Sequence, residues 1–274
     1  MKKKRGILLI VVILLLGGML FFLGKGKNKK AEPIPNKKSG VTTVMIHGTP
    51  SDEHVFDRLT KELEEKGGTK EPLLIVSRDG EIQLDGEWKP AKHPLVQVRF
   101  SYNDAPDALQ AEWLSRVFSW LQEHRVNAID YIAHSQGGVA LAFYLAQQQY
   151  KQENPIQLQK VVTLGSPYNE LGKQVDKNDR LIASPTLKTI EKGFSEHKVQ
   201  CGPWLNIAGE INATDDGIVP IESVKSLESV LNKEGIKNQF LLLSDLGHSD
   251  LPVDSLVFEE INKFLVWPEK KVEK

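Results

Sequence analysis

Ile129-Asp-Tyr-Ile-Ala-His-Ser-Gln-Gly-Gly138 is a mainly apolar run, interrupted by Asp130 and His134, that reaches a single serine and continues through two glycines. The run predicts a buried strand, the glycines the start of a helix, and the junction a tight turn with Ser135 at the bend. With Ala133 two residues before it and Gly137 two after it, the serine can present its hydroxyl at the carboxyl edge of a sheet, clear of larger side chains.

Outward from this stretch, short apolar runs alternate with helical spacings, the pattern of a parallel sheet covered on both faces. Strands are predicted near Val41 to Ile46, Leu73 to Ser77, Leu95 to Phe100, Ala128 to Ala133, Leu158 to Leu164, Trp204 to Ala208 and Asn238 to Leu243. Three sets recur at helical spacing and each predicts one buried face: Val55, Phe56, Leu59 and Leu63; Trp113, Leu114, Val117, Phe118 and Leu121; Leu256, Ile261, Phe264 and Leu265. Asp79-Gly80 between Leu-Ile-Val-Ser and Glu-Ile-Gln-Leu signals a hairpin insertion. The weakly periodic stretch 165–203 is too long for an ordinary connection and reads as a candidate cap or lid. The fold class is therefore α/β, a mostly parallel central sheet flanked by helices.

A serine hydroxyl attacks a carbonyl only if a base takes its proton, and imidazole has the suitable pKa. Of the seven histidines, His248 lies just after the last predicted strand, where strand ends on one edge of a parallel sheet converge. His134 adjoins the serine but points away from it on the turn, and His47 is read as holding the first loop. His54, His93, His124 and His197 read as surface or core residues. The base needs a carboxylate to set its tautomer. Asp216, in the loop after the preceding strand, is chosen, with Asp215 as its rival. The oxyanion of a tetrahedral intermediate needs fixed donors. The backbone N–H groups of Gln136, at a helix head, and Thr49, behind Gly48, are the candidates, so replacing either side chain is expected to leave much activity intact.

The His-Gly loop, Ala-His-Ser-Gln-Gly-Gly, Asp-Gly-Ile-Val-Pro and Gly-His, in that order, resemble the α/β-hydrolase superfamily and its bacterial lipase and esterase-like branch. From about Val41 to Trp267 the chain is similar to membrane-anchored α/β hydrolases of Gram-positive bacteria. Ala133 stands where the pattern usually has glycine. The resemblance implies carboxylic-ester chemistry.

Net charge is −1, from 35 basic and 36 acidic side chains, so no large basic field speaks for nucleic acid. The single cysteine, Cys201, excludes an intrachain disulfide framework. At the amino terminus, Met-Lys-Lys-Lys-Arg precedes an uncharged run from Ile7 to Leu23. As a helix this run spans about 25 Å, close to the ~30 Å hydrocarbon core of a bilayer. Residues 1–24 are read as a signal anchor, with secretion after signal cleavage as the alternative, and residues 25–40 as a Lys-rich tether. Residues 41–268 form the expected catalytic domain, placed outside the cell membrane.

These readings converge on a membrane-tethered serine hydrolase that cleaves a small-molecule or lipid-like ester through Ser135, His248 and Asp216. It is expected to need no cofactor and no metal. An acyltransferase on the same fold and a non-catalytic surface module are the alternatives.

Overall fold

The computed structural model describes residues 41–89, 91–172 and 182–266. The expected anchor at 1–24 and tether at 25–40 lie outside this range. Among the described residues no helix is long and apolar enough to cross a membrane.

The apolar runs form strands β1 (Thr42–Ile46), β3 (Leu73–Val76), β5 (Pro94–Phe100), β6 (Ala128–His134), β7 (Gln157–Leu164), β8 (Trp204–Glu210) and β9 (Asn238–Ser244). Two short strands join them, β2 (Thr69–Lys70) and β4 (Ile82–Asp85). They make one nine-stranded sheet in the order β4-β3-β5-β1-β6-β7-β8-β9, with β2 paired to β5. All pairs are parallel except β3 with β4, the hairpin expected at Asp79-Gly80, where Gly80 takes φ +79°. β1 and β6 sit at the centre and are buried on both faces, which is why their apolar residues do not alternate with exposed ones. β9 closes one edge and alternates between half-buried and exposed positions.

The chain leaves β1 towards β5 and returns to β6 on the other side of β1, so connections diverge beyond the carboxyl ends of these two strands. Such a divergence opens a crevice at the sheet edge. The loop carrying Gly48 and the turn carrying Ser135 both begin there.

Helices cover the two faces. On one face, Val44, Ile46, Tyr131 and Val161 pack against α2 (Asp107–Glu123), α3 (Gln136–Gln147), α4 (Pro185–Glu196) and α6 (Leu227–Lys233). On the other, Met45, Ile132, Val162 and Ile207 pack against α1 (Asp57–Glu65) and α7 (Ser255–Leu265). Short α5 (Ile221–Lys225) contributes Val224 to a small cluster with Ala208 and Val219. Phe56, Leu59 and Leu63 are fully buried, and each apolar side chain so buried is worth roughly 1.5–3 kcal/mol relative to exposure.

One reading needs revision. Leu256 does not belong to the buried face of its helix: it is 55% exposed, and the stripe on the sheet is Val257, Phe258, Ile261 and Leu265. Successive helical residues turn by about 100°, which carries Leu256 off that stripe. The weakly periodic stretch 165–203 contains α4, whose Ser184 cap accepts from the Leu187 N–H and whose Leu187, Ile190 and Phe194 are buried. Gly193 lets α4 meet α3 closely, since a Cβ there would lie 2.4 Å from Ala146 O. Residues 173–181 of this stretch lie outside the described range.

Candidate active site

Ser135 follows β6 with φ 53° and ψ −124°, a conformation an L-residue adopts at a cost of about 1–3 kcal/mol. The surroundings hold it there. Its N–H donates to Leu164 O at 2.8 Å, its carbonyl accepts from Gly138 N–H, and the buried Tyr131 hydroxyl donates to Gly137 O at 2.8 Å. The helix behind the serine approaches β1 so closely that a Cβ on Gly137 would lie 2.7 Å from Ile46 O. Gly48 crosses the serine as tightly: a Cβ there would meet Ser135 Cβ at 2.5 Å.

His47 fastens the Gly48 loop. Its Nε2 accepts the Phe100 N–H at 3.0 Å, so the ring proton resides on Nδ1 and is donated to Gly48 O at 2.8 Å. Burial lowers its pKa, in keeping with a neutral ring in this bridge. The loop-holding role expected of His47 is the one these contacts describe.

His248 and Asp216 are joined twice. His248 Nδ1 lies 2.8 Å from Asp216 Oδ2, and the His248 N–H donates to Asp216 O at 2.8 Å. The other carboxylate oxygen, Oδ1, accepts from Ile218 N–H at 3.0 Å and Val219 N–H at 2.7 Å. Both oxygens of this buried carboxylate are thereby engaged, and the pair orients the ring with Nδ1–H inward and Nε2 free of that contact. Asp215 faces a surface turn, accepting from Asn212 Nδ2, Gly217 N–H and Thr214 Oγ1. The Asn212 amide leads these bonds in holding its carboxyl below the usual range.

The histidine comes to the serine side of the sheet through Gly165, which follows β7. A Cβ at Gly165 would stand 2.9 Å from His248 Nδ1 and 3.1 Å from Asp216 Oδ2, and its φ of +57° also favours glycine. Leu164, the residue before it, is the acceptor for Ser135 N–H. His134 lies under the ring of His248, with centroids 4.5 Å apart, and its Nε2 lies 3.0 Å from His248 O. Burial first, then the neighbouring His248, pushes the His134 pKa down to about 3, so it stays neutral and packs as a support. Ser135 Oγ makes no hydrogen bond to a described residue. A nucleophile and base are often loosely paired before substrate arrives.

The two expected oxyanion donors lie on either side of this crevice, Thr49 after β1 and Gln136 at the first position of α3. Neither backbone N–H donates to a described residue, which leaves both available. Both side chains are engaged: Thr49 Oγ1 donates to Asn103 O, and Gln136 Nε2 to Asp107 Oδ1. Gly165, Asn103 and Asp107 were not singled out by sequence reasoning. Each acts through a contact distant in the chain, and none carries a local signal beyond a polar or glycine residue after a strand. Among the described residues no three His, Cys, Asp or Glu side chains group to hold a metal ion.

The family described as alpha/beta hydrolase of unknown function (DUF915) matches residues 30–268. Among solved structures, the chain is similar to the lin2722 gene product of Listeria innocua, at 25% identity and a TM-score of 0.71 over 86% of this chain and 96% of that one. A candidate cell surface hydrolase of Lactobacillus plantarum WCFS1 is 21% identical with a TM-score of 0.68, over 84% of this chain and 92% of that one, and shares the fold. No curated protein matches the chain.

Proposed function

The chain belongs to a family of α/β hydrolases of unknown function, and from that premise we propose that it is a membrane-tethered serine hydrolase acting on carboxylic esters. The observation that carries the proposal is the buried Asp216–His248 pair, joined at 2.8 Å in the loops that neighbour the Ser135 turn. In this reading Ser135 Oγ attacks the ester carbonyl while His248 Nε2 takes its proton. Asp216 keeps the ring proton on Nδ1 and stabilises the imidazolium. The N–H groups of Thr49 and Gln136 meet the charge on the tetrahedral oxygen. Collapse breaks the C–O bond, the alcohol leaves with the proton from His248, and an acyl-Ser135 remains. Water, deprotonated by the same ring, then attacks the acyl carbon and releases the acid with the serine restored.

An apolar rim supports an acyl or lipid-like substrate. Ile211 and Ile218, each more than half exposed, flank Asp216, and a Cβ on Gly217 between them would touch Ile211. Exposed isoleucines beside a catalytic loop offer apolar surface to a chain that water would otherwise surround. The basic start and apolar run of residues 1–24 support anchoring of the domain at the outer face of the membrane. The Lactobacillus plantarum neighbour, described as a candidate cell surface hydrolase, agrees with that placement.

A fluorophosphonate probe tests the chemistry. Wild-type protein is expected to be labelled at one serine and Ser135→Ala not at all. Unchanged labelling of Ser135→Ala would remove the assignment. A series of p-nitrophenyl esters tests the substrate, with rates expected to hold or rise beyond acetate; a rate confined to acetate would exclude an acyl-chain preference. Product analysis with added alcohol separates hydrolysis from acyl transfer.

A further inference from the structure

The two amides assigned to the oxyanion come from loops that are far apart in sequence, after β1 and after β6. An oxyanion accepts well only from donors about 2.7–3.1 Å away, and a constellation loosened by ~0.5 Å loses most of its advantage. Something must set the separation between Thr49 and Gln136.

One segment touches both. Asn103, in the connection from β5 to α2, accepts from Thr49 Oγ1 through its carbonyl and donates through Nδ2 to Ser51 O at 2.5 Å. Four residues later, Asp107 accepts from Gln136 Nε2. Between them, the segment is itself tied down: the buried Gln110 side chain donates to Ala105 O at 2.8 Å and to Asn103 O at 3.4 Å. Ala105 is part of the core. Asp107 begins α2 directly after the N-cap Pro106, and its carboxylate accepts no bond from a described backbone N–H. It meets instead the Gln136 side chain at the head of α3.

We propose that the segment Asn103–Asp107 is a clamp that fixes the spacing of the Thr49 and Gln136 amides, with Asn103 and Asp107 as positioning residues for ester hydrolysis. The clamp rests on the reading of Ser135 as nucleophile, and it assigns a function to side chains that the amide roles alone leave idle. It acts on the transition state more than on substrate binding, because the oxyanion forms only after attack.

The test is kinetic, on full-length protein, with a soluble p-nitrophenyl ester and a boronic acid that forms a tetrahedral adduct on the serine. Asp107→Ala is expected to lower kcat by at least ~10-fold, in the manner of a weakened oxyanion donor, with KM changed less than ~3-fold. Boronate affinity should fall in parallel with kcat. Asp107→Asn keeps an oxygen that accepts from Gln136 Nε2 and is expected to restore most of kcat. Gln136→Ala added to Asp107→Ala should cost little more, since both remove one bond. Asn103→Ala, which removes the Nδ2 bond to Ser51 O and leaves the carbonyl that accepts from Thr49, supplies an independent arm on the Thr49 loop with the same signature.

The clamp is overturned if Asp107→Ala and Asn103→Ala remain folded by circular dichroism with unchanged kcat and boronate affinity. It is equally overturned if KM alone rises, or if the Asp107 and Gln136 losses multiply. Should Asp107→Ala fail to fold, Gln136→Ala, which removes the same bond, and Asn103→Ala carry the decision. Ser135→Ala separates the two ideas: residual hydrolysis by that variant sinks the nucleophile assignment, whereas Ser135-dependent activity indifferent to Asp107 and Asn103 sinks only the clamp.

Discussion

Asp216 and His248 are bonded through side chains and through backbone, Oδ2 to Nδ1 and O to N–H, both at 2.8 Å. Two parallel contacts between the same pair of residues fix the direction of the ring as well as its position. The loop of Asp216 and the loop of His248 therefore behave as one unit, and disturbing either disturbs the other.

The first consequence concerns the two neighbouring aspartates. Asp216→Asn presents a neutral amide to Nδ1 and upsets the tautomer, so kcat/KM is expected to fall by ~10³–10⁴-fold. Asp215→Asn, altering a carboxyl bonded to Asn212, Thr214 and Gly217, is expected to keep activity within a few-fold. Ester hydrolysis by the two purified variants checks this, and the reverse ranking would overturn the assignment of the acid.

Gly165 allows that unit to sit against β7. Gly165→Ala would put a methyl group 2.9 Å from His248 Nδ1 and Leu251 Cδ1 and 3.1 Å from Asp216 Oδ2, at a φ that alanine tolerates poorly. The expected outcome is a large loss of kcat with a destabilisation of about 1–3 kcal/mol, read by ester hydrolysis and urea unfolding.

On the other side of the serine, Gly48→Ala would drive a methyl group to 2.5 Å from Ser135 Cβ and 3.0 Å from His134 O. The backbone of one loop must then retreat, widening the crevice proposed to hold the oxyanion. Slower fluorophosphonate labelling is expected, in contrast to Gly67→Ala, where a Cβ meets nothing within 4 Å and only the strain of φ +100° applies. Equal labelling by both variants would count against the crowding argument.

A pH dependence comes from beneath the sheet. Asp130 on β6 is buried and carries a carboxyl oxygen with no partner among the described residues, beside Thr43 on β1 and Lys160 on β7. Lys160 directs its ammonium to the carbonyls of Phe264 and Leu265 at the end of α7. Burial, only partly opposed by Lys160, pushes the Asp130 carboxyl up to about 6. The folded state thus holds the proton more tightly than the unfolded chain. This contribution to stability is fully present below the unfolded pKa, near 4, and is lost as pH rises through 6. Asp130→Asn removes the ionisation and is expected to be more stable than wild type at pH 8 by about 1–2 kcal/mol, with the difference shrinking towards pH 4. Denaturant unfolding of both proteins at the two pH values checks the sign.

The sheet and the Ser135 turn were legible because their signals are local. Apolar runs bounded by polar and glycine residues predict strands wherever they occur, and Asp79-Gly80 specifies a reversal without help from the rest of the chain. His248 and the loop of Asp216 followed from counting strands, since successive loops of a parallel sheet emerge at one edge. Leu256 was misread because helical spacing alone does not say which of two adjacent stripes meets the sheet. The Asp107 to Gln136 contact, which gives a side chain at an amide position its own task, was not visible at all.

By itself, the amino-acid order determined a parallel α/β sheet, a serine held at a strand-to-helix turn, and a histidine after the last strand, because these depend on periodicity and turn chemistry between near neighbours. Tertiary structure alone decided between Asp215 and Asp216 as the partner of His248, made Gly48 and Gly165 points of closest approach, and brought Asn103 and Asp107 to the residues whose amides flank the crevice. Those choices depend on where separate loops come to rest on the packed sheet, a distance in space that residue spacing along the chain does not encode.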